Sequence, residues 1–322
     1  MKNEILLETK KLSVGYRTKT GEKVLLENLD LHLCAGELVC FMGPNGIGKS
    51  TFIRTIASLH PPLSGSARLS GNAPLEQSLS VVLTDKLSPN QMRVRDLIAF
   101  GRYPYISWNV RLSSADHRAI EKAITLTGIE PIINQKISEL SDGQLQLAMI
   151  TRALAQECPV LLLDEPTAHL DLNNRVEIMN LLRNLAHTTG KAILIATHEL
   201  DLVLQTADRI WLATRDKKIL SGFPEDMVLD ESIDKIFQLK GFDLKTGKMK
   251  HPVYQQQKIR LEGSGSIFLW TKNALERCGY EVTGSGSVII TIPEEGTLKW
   301  MLDGKEFNRI ESLILELKST SG

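Results

Sequence analysis

The sequence predicts an α/β protein: a mostly parallel sheet, an antiparallel β portion, an inserted helical block and a small C-terminal α+β module. Three observations carry that expectation. Short, nearly continuous apolar runs recur at residues 38–42, 79–83, 160–163 and 192–196, and such runs suit strands buried on both faces. Helical spacing of apolar residues dominates between Arg93 and Glu157. The character of the chain changes again after residue 253.

The elements follow in order. Segments 4–14, 24–33 and 66–69 alternate loosely, which predicts a partly exposed antiparallel sheet at the N-terminal edge. Helical stretches follow the apolar runs at 38–42, 160–163 and 192–196. Residues 94–103, 114–129 and 143–157 each read as helix, punctuated by Pro104 and Pro131. They form a helical subdomain over about 88–158. Residues 1–253 then make one domain and 254–322 a second. Gln255–Gln257 and the Gly-Ser run at 263–266 mark a looser joint. The tail reads strand, helix, strand, a Trp300-containing segment and a last helix. Trp270, Tyr280 and Trp300 are its expected core aromatics.

Bulk properties exclude some classes. The 322 residues are 42% hydrophobic and 24% charged, ordinary for a chain with a packed core. Lys+Arg and Asp+Glu both number 38, so charge makes no case for nucleic acid or anionic lipid. Cys34, Cys40, Cys158 and Cys278 lack any CxxC spacing and read as free thiols in a reducing compartment. The first residues lack an apolar signal core. No apolar stretch approaches the ~20 residues of a membrane span. If the protein works at a membrane, other chains must cross it.

The chemistry starts at Gly43-Pro44-Asn45-Gly46-Ile47-Gly48-Lys49-Ser50, followed by Thr51. This is GxxxxGK[ST] between an apolar strand and a helix, the context a phosphate loop needs. Glycines let backbone N–H groups wrap a phosphate, and the helix N-terminus adds its positive dipole end. Lys49 supplies a point charge to the β- and γ-phosphates of ATP, and the Ser50 hydroxyl ligates Mg²⁺. Downstream, Val160–Leu163 ends in Asp164 and Glu165. An acid at a strand tip beside the phosphate-loop strand holds Mg²⁺, which suits Asp164. Glu165 is placed to polarise an attacking water as general base.

Leu140-Ser141-Asp142-Gly143-Gln144 opens the third helix of the helical block. Here the chain resembles the ABC ATPase family, whose signature is LSGGQ. The other family motifs follow in order: Asp164-Glu165-Pro166-Thr167, a D-loop ending in Leu170-Asp171, and Thr197-His198-Glu199. The resemblance runs from residue 4 to about 253. It implies a P-loop NTPase (RecA-like) core with an antiparallel β subdomain and an inserted helical subdomain. It also implies that Tyr16 stacks on adenine and that His198 contacts the γ-phosphate. Ser141, Gly143 and Gln144 would face the γ-phosphate held by a second copy, so two cassettes sandwich two ATPs. His169 lies in the D-loop, at the expected dimer seam. The remaining histidines, His60 among them, match no motif and read as surface or packing residues.

Two departures stand out. Asp142 replaces the usual signature glycine, and a carboxylate facing a triphosphate would repel it, so Asp142 should point away. The glutamine usual after the strand before the helical subdomain is absent. Asp85 stands there, and Gln91 comes six residues too late. Asp85 is expected to take the metal-facing role, since carboxylates ligate Mg²⁺.

Val94–Pro104 resembles the V-x-x-L-V-x-x-G-R-x-P stretch of importers for iron siderophores, haem and cobalamin, and Ile233–Val253 resembles that subfamily's end. The resemblance implies polytopic permease subunits docked near Asp85–Pro104, a substrate-binding protein acting indirectly, and work at the cytoplasmic face of the inner membrane. An exporter ATPase and a soluble DNA- or ribosome-acting ABC ATPase are the alternatives. The DNA-repair type carries long insertions and the ribosome type two cassettes, and this chain has neither. The tail after residue 253 matches nothing in that resemblance.

Overall fold

The computed structural model describes residues 4–19, 21–83, 91–106, 111–249, 251–292 and 298–320. The chain forms two compact units, Met1–Gln238 and Leu239–Gly322. The division falls at residue 238 rather than 253. The reason is local: Gly247, Met249 and His251 line a cavity with Trp270 and Ala274, so this segment belongs with the tail.

The first unit holds two sheets. In one, β1 (Ile5–Thr18) pairs antiparallel with β2 (Gly21–Leu29), β3 (His32–Cys34) and β5 (Ser64–Leu69). The expected strand at 24–33 is therefore two strands. Buried Thr9 stands at the break, where its hydroxyl donates to Leu29 O and accepts from Leu31 N, each at 2.9 Å. The backbone groups freed by the break are thus paired.

The other sheet has the order β10-β9-β4-β8-β7-β6. Its strands are β4 (Leu38–Met42), β6 (Leu79–Val82), β7 (Val160–Asp164), β8 (Ala192–Ala196), β9 (Arg209–Ala213) and β10 (Ile219–Gly222). All neighbours are parallel except β10 with β9. Every residue of β4, β7 and β8 is buried, as the continuous apolar runs require. Helix α1 (Lys49–Ile56) follows β4, and α2 (Leu75–Ser78) precedes β6. Phe52 of α1 packs edge-on against Phe41 and Trp211, with ring centroids 5.0 and 6.0 Å away. Parallel direction puts the C-terminal ends of β4, β7 and β8 at one edge, where α/β sheets bind ligands.

The helical portion comprises α3 (Val94–Ala99), a 3-10 turn (Phe100–Tyr105), α4 (Ser114–Thr127) and α5 (Asp142–Ala155). The helix expected to run to residue 103 stops earlier and tightens. Gly101 lets the tightened turn approach α5 closely, since a Cβ there would stand 2.2 Å from Arg152 O. Buried Arg102 then donates to Asp116 Oδ1 (2.8 Å), Ala155 O (2.8 Å) and Glu157 Oε2 (3.0 Å). After β7 come α6 (Leu172–Thr189), α7 (Leu200–Thr206), α8 (Pro224–Leu229) and α9 (Ser232–Phe237).

The second unit begins with a small hairpin, β11 (Phe242–Asp243) and β12 (Lys248–Met249). Its main sheet has the order β14-β13-β15-β16-β17. The strands are β13 (Lys258–Glu262), β14 (Glu281–Val282), β15 (Val288–Thr291), β16 (Trp300–Leu302) and β17 (Lys305–Phe307), with helices α10 (Gly265–Arg277) and α11 (Ile310–Thr320). The Gly-Ser run at 263–266 is not a joint between domains. It is the turn from β13 into α10, with Gly263 at φ 141° and Gly265 at φ 74°, values that favour glycine. Trp300 and Tyr280 are core residues, 2% and 1% exposed, but Trp270 is 66% exposed. Thr271 and Leu275 take the inward face of α10, and Trp300 Nε1 donates to Thr271 Oγ1 at 2.7 Å.

Asp116 sets an acid limit on the helical portion. The Ser113 hydroxyl, then the Ser113 N–H and Arg102, hold its carboxyl down to about 2 from an ordinary 3.8. A depressed carboxylate contributes stability that is complete above its unfolded value and lost as pH falls through the folded one. Asp116→Asn leaves Arg102 under-paired and is expected to cost about 3 kcal/mol at neutral pH. Thermal melts of the two proteins should converge as pH falls from about 4 toward 2. A constant gap over that range would contradict the assignment.

Candidate functional site

The phosphate loop leaves β4 and turns through three glycines at positive φ: Gly43 (153°), Gly46 (76°) and Gly48 (114°). Gly48 caps α1, and a Cβ on it would lie 3.0 Å from Leu25 Cβ. These conformations suit glycine and turn the loop into the N-terminus of α1. The first-turn N–H groups of a helix have no intrahelical acceptor, so the loop is an anion cradle. Asn45 and Gly46 are exposed, while Gly48 and Lys49 are buried.

Lys49 is only 7% exposed, and its Nζ donates to Gly43 O at 2.9 Å. Burial pulls its ammonium below the ordinary lysine range, and Glu165 and Asp164 oppose that pull. A cation held this way is poorly solvated and suited to accept a phosphate. Ser50 Oγ donates to Asp164 Oδ1 at 3.0 Å. A hydroxyl and a carboxylate side by side at the loop form an oxygen donor set of the kind Mg²⁺ prefers. Asp85 lies outside the described residues.

Glu165 follows β7 with a left-handed backbone, φ 49°. A non-glycine residue held there is strained, and such strain collects at functional sites. Its N–H donates to Ala196 O at 2.8 Å, which ties the end of β7 to β8. Its Oε1 stands 3.6 Å from His198 Nδ1. His198 is half exposed, and its Nε2 is 3.9 Å from Glu199 Oε1. Glu199 is buried and bonds Arg175 Nη1 at 2.9 Å. Arg175 Nε in turn donates to Leu170 O, at 2.6 Å, in the D-loop. Motif matching did not reach Arg175, because nothing in its neighbourhood marks it.

Tyr16 is 44% exposed and sits beside the loop, its hydroxyl 2.8 Å from Thr51 Oγ1. His60 packs against it, with ring centroids 5.1 Å apart, and anchors through Nε2 to Gly15 O at 2.7 Å. The pair offers an aromatic surface next to the phosphate cradle.

The signature occupies the start of α5. Ser141 is the N-cap: its Oγ accepts from Gln144 N at 3.2 Å, and Gln144 Oε1 accepts from Ser141 N at 3.0 Å. Asp142 is exposed in the first turn, where a negative charge favours the helix dipole. Buried Gly143 abuts Asn174 of α6, since a Cβ would lie 2.8 Å from its side chain. Asn174 is fixed by Asp171, the residue that ends the D-loop, through Nδ2 at 3.0 Å. Among the described residues, no hydrogen bond or ion pair joins Ser141–Gln144 to the phosphate loop.

Fold and site together define a nucleotide-binding ATPase cassette. Comparison with known proteins gives its family. A family model described as "ABC transporter" matches residues 26–168. An uncharacterized ABC transporter ATP-binding protein of Methanocaldococcus jannaschii is 36% identical over 262 residues, 76% of this chain and 89% of that one. The ferric enterobactin transport ATP-binding protein of Escherichia coli is 32% identical over 242 residues, 73% and 88% of the two chains. The chain belongs to the ATP-binding proteins of the ABC transporters. Among solved structures, one described as "an inward-facing conformation of a putative metal-chelate type ABC transporter" matches with TM-score 0.65, 27% identity, 73% of this chain and 90% of that one. A dimeric cassette in a post-hydrolysis state with ADP and Pi matches with TM-score 0.58, 25% identity, 68% and 99% coverage. The tail has a counterpart after all: residues 256–318 match the "Iron ABC transporter C-terminal domain" model.

The Gly143–Asn174 contact is open to a second-site test. Gly143→Ala should push the start of α5 off α6 and lower ATP hydrolysis about tenfold or more, since displacements near 1 Å carry such losses. Adding Asn174→Ala removes the obstructing side chain and should restore most of the rate. Failure of the double variant to recover would show that the close approach is not what Gly143 serves.

Proposed function

We propose that the chain is the ATP-hydrolysing subunit of an importer for ferric siderophores or related metal chelates. One observation carries the reading: a complete phosphate-loop site joined, in one chain, to a tail that matches the iron transporter C-terminal model. The site supplies the hydrolysis. Relatives named for enterobactin and for iron(3+)-hydroxamate supply the substrate class.

In this reading the residues divide the work. Gly43–Ser50 cradle the β- and γ-phosphates, and Lys49 places its charge on them. Tyr16 stacks on adenine. Ser50 and Asp164 hold Mg²⁺, and Asp85, three residues beyond β6 in the sequence, joins them. Mg²⁺, when bound, neutralises charge on the phosphate oxygens. Glu165 orients water and takes its proton, and His198 contacts the γ-phosphate while held beside Glu165. A second copy completes each site by presenting Ser141, Gly143 and Gln144 to the γ-phosphate. Exposed Ser141 at the tip of α5, its hydroxyl accepting from Gln144 N, supports that role.

The same reading places two copies on two permease subunits at the cytoplasmic face of the inner membrane, with a substrate-binding protein acting indirectly. No helix among the described residues is long and apolar enough to cross a membrane. Phe100 and Tyr103 are 46% and 63% exposed on the 3-10 turn, which supports taking Asp85–Pro104 as the permease-facing stretch.

Glu165→Gln removes the base but keeps the shape. Hydrolysis should fall about 100-fold or more, and the variant should elute as an ATP-dependent dimer in size-exclusion chromatography. A wild-type rate in this variant would remove Glu165 from the mechanism. Asp85→Ala should blunt the stimulation of hydrolysis by transporter and substrate in a reconstituted complex; unchanged stimulation would take Asp85 out of the metal site.

A further inference from the structure

Arg102 ends the V-x-x-L-x-x-x-G-R stretch and does more than stop a helix. Its guanidinium is buried at the C-terminus of α5, with two carboxylates and one carbonyl as partners. Asp116 anchors it to the start of α4. Ala155 O is one of the terminal carbonyls of α5, which no intrahelical N–H reaches. A cation also favours that end of the helix dipole. Tyr105 lies under the guanidinium, 4.0 Å from carbon to ring centroid, and its hydroxyl donates to Gln156 O at 2.9 Å. The same six-residue turn presses Gly101 against Arg152 O. Arg152 Nη2 donates to Val81 O of β6 at 3.3 Å, which ties this end of α5 to the sheet.

Glu157 confirms that the arrangement is specified. It follows the C-cap of α5 with φ 59°, a position where glycine is the easy choice. A side chain is kept there, and its carboxylate closes on Arg102 at 3.0 Å.

Helix α5 has 14 residues, so it spans about 21 Å at 1.5 Å per residue. Arg102 holds one end, and Ser141 is the other. We propose that Arg102 is a positioning residue for ATP hydrolysis: by locking the C-terminal end of α5 it sets where Ser141 stands against the neighbouring subunit's nucleotide. This rests on the reading of Ser141 given above. Among the described residues, no hydrogen bond or ion pair joins Arg102 to the phosphate loop, so its loss should spare nucleotide binding and damage the step that needs two subunits.

The experiment uses the full chain. Arg102→Lys keeps the charge but loses the fork. Gly101→Ala alters no charge and separates the turn from α5. For each variant, affinity for a fluorescent ATP analogue, the hydrolysis rate and thermal melting are measured. ATP-dependent dimer formation is measured with each change added to Glu165→Gln. Both folded variants should bind the analogue within about twofold of wild type and hydrolyse at least about fivefold more slowly, with dimer formation shifted to higher protein concentration. Either of two results would overturn the inference: hydrolysis unchanged in both folded variants, or affinity and rate falling together in both. If Glu165→Gln alone forms no ATP-dependent dimer, the two-subunit reading itself fails and takes this inference with it. Glu157→Gly guards against a folding artefact. It relieves a strained backbone, so its melting temperature should hold or rise while the hydrolysis rate falls. A full rate in that variant would restrict the lock to Asp116 and Ala155 and overturn the role given to Glu157.

Discussion

The hydrogen bond from Ser50 to Asp164, 3.0 Å long, joins the phosphate loop to the acidic end of β7. Asp164 ends β7 and Ser50 lies in α1 just after β4, and β8 stands between those two strands. The bond therefore depends on the register of the parallel sheet. Phe41 and Asp164 both align with Ala196. Thr197 N donates to Phe41 O at 3.1 Å, and Glu165 N donates to Ala196 O at 2.8 Å. A one-residue slip in any of these strands would turn its side chains to the other face. It would also separate Lys49, Asp164, Glu165 and His198. The apolar core of Phe41, Phe52 and Trp211 holds that register from below.

Much of this was legible in the linear sequence, and the reasons are physical. A phosphate loop needs glycines at fixed offsets, so Gly43, Gly46 and Gly48 advertise their backbone. Strands buried on both faces need unbroken apolar runs, so β4, β7 and β8 were visible. The helix cap at Ser141 needs a partner three residues on, and Gln144 is there. What escaped depends on contacts between distant segments. Asn174 acquires its meaning only because Gly143 packs on it, and Arg175 only because Leu170 O and Glu199 converge on it. Thr9 divides a predicted strand from twenty or more residues away, through hydrogen bonds no periodicity reports. Trp270 was expected inside because it is aromatic. Helical spacing gave the inward face to Thr271 and Leu275 instead.

The second unit is a small core of its own, with Ile259, Leu275, Tyr280, Trp300 and Leu313 buried together. The buried Trp300–Thr271 hydrogen bond pairs the indole N–H that burial would otherwise leave unsatisfied. Composition changes along the chain pointed to this module from residue 254, and the compact unit begins at Leu239. A Gly-Ser run reads equally as a linker or as a tight turn, and here the φ angles select the turn.

The central claim is that the catalytic site is shared between two copies, with Lys49 and Glu165 from one and Ser141 from the other. A structure of the Glu165→Gln variant with ATP and Mg²⁺ tests it most directly. The account predicts a head-to-tail pair in which Ser141 Oγ and the Gly143 N–H lie within about 3 Å of the γ-phosphate bound at the other copy's Lys49. A nucleotide enclosed within a single copy, with Ser141 facing water, would contradict it.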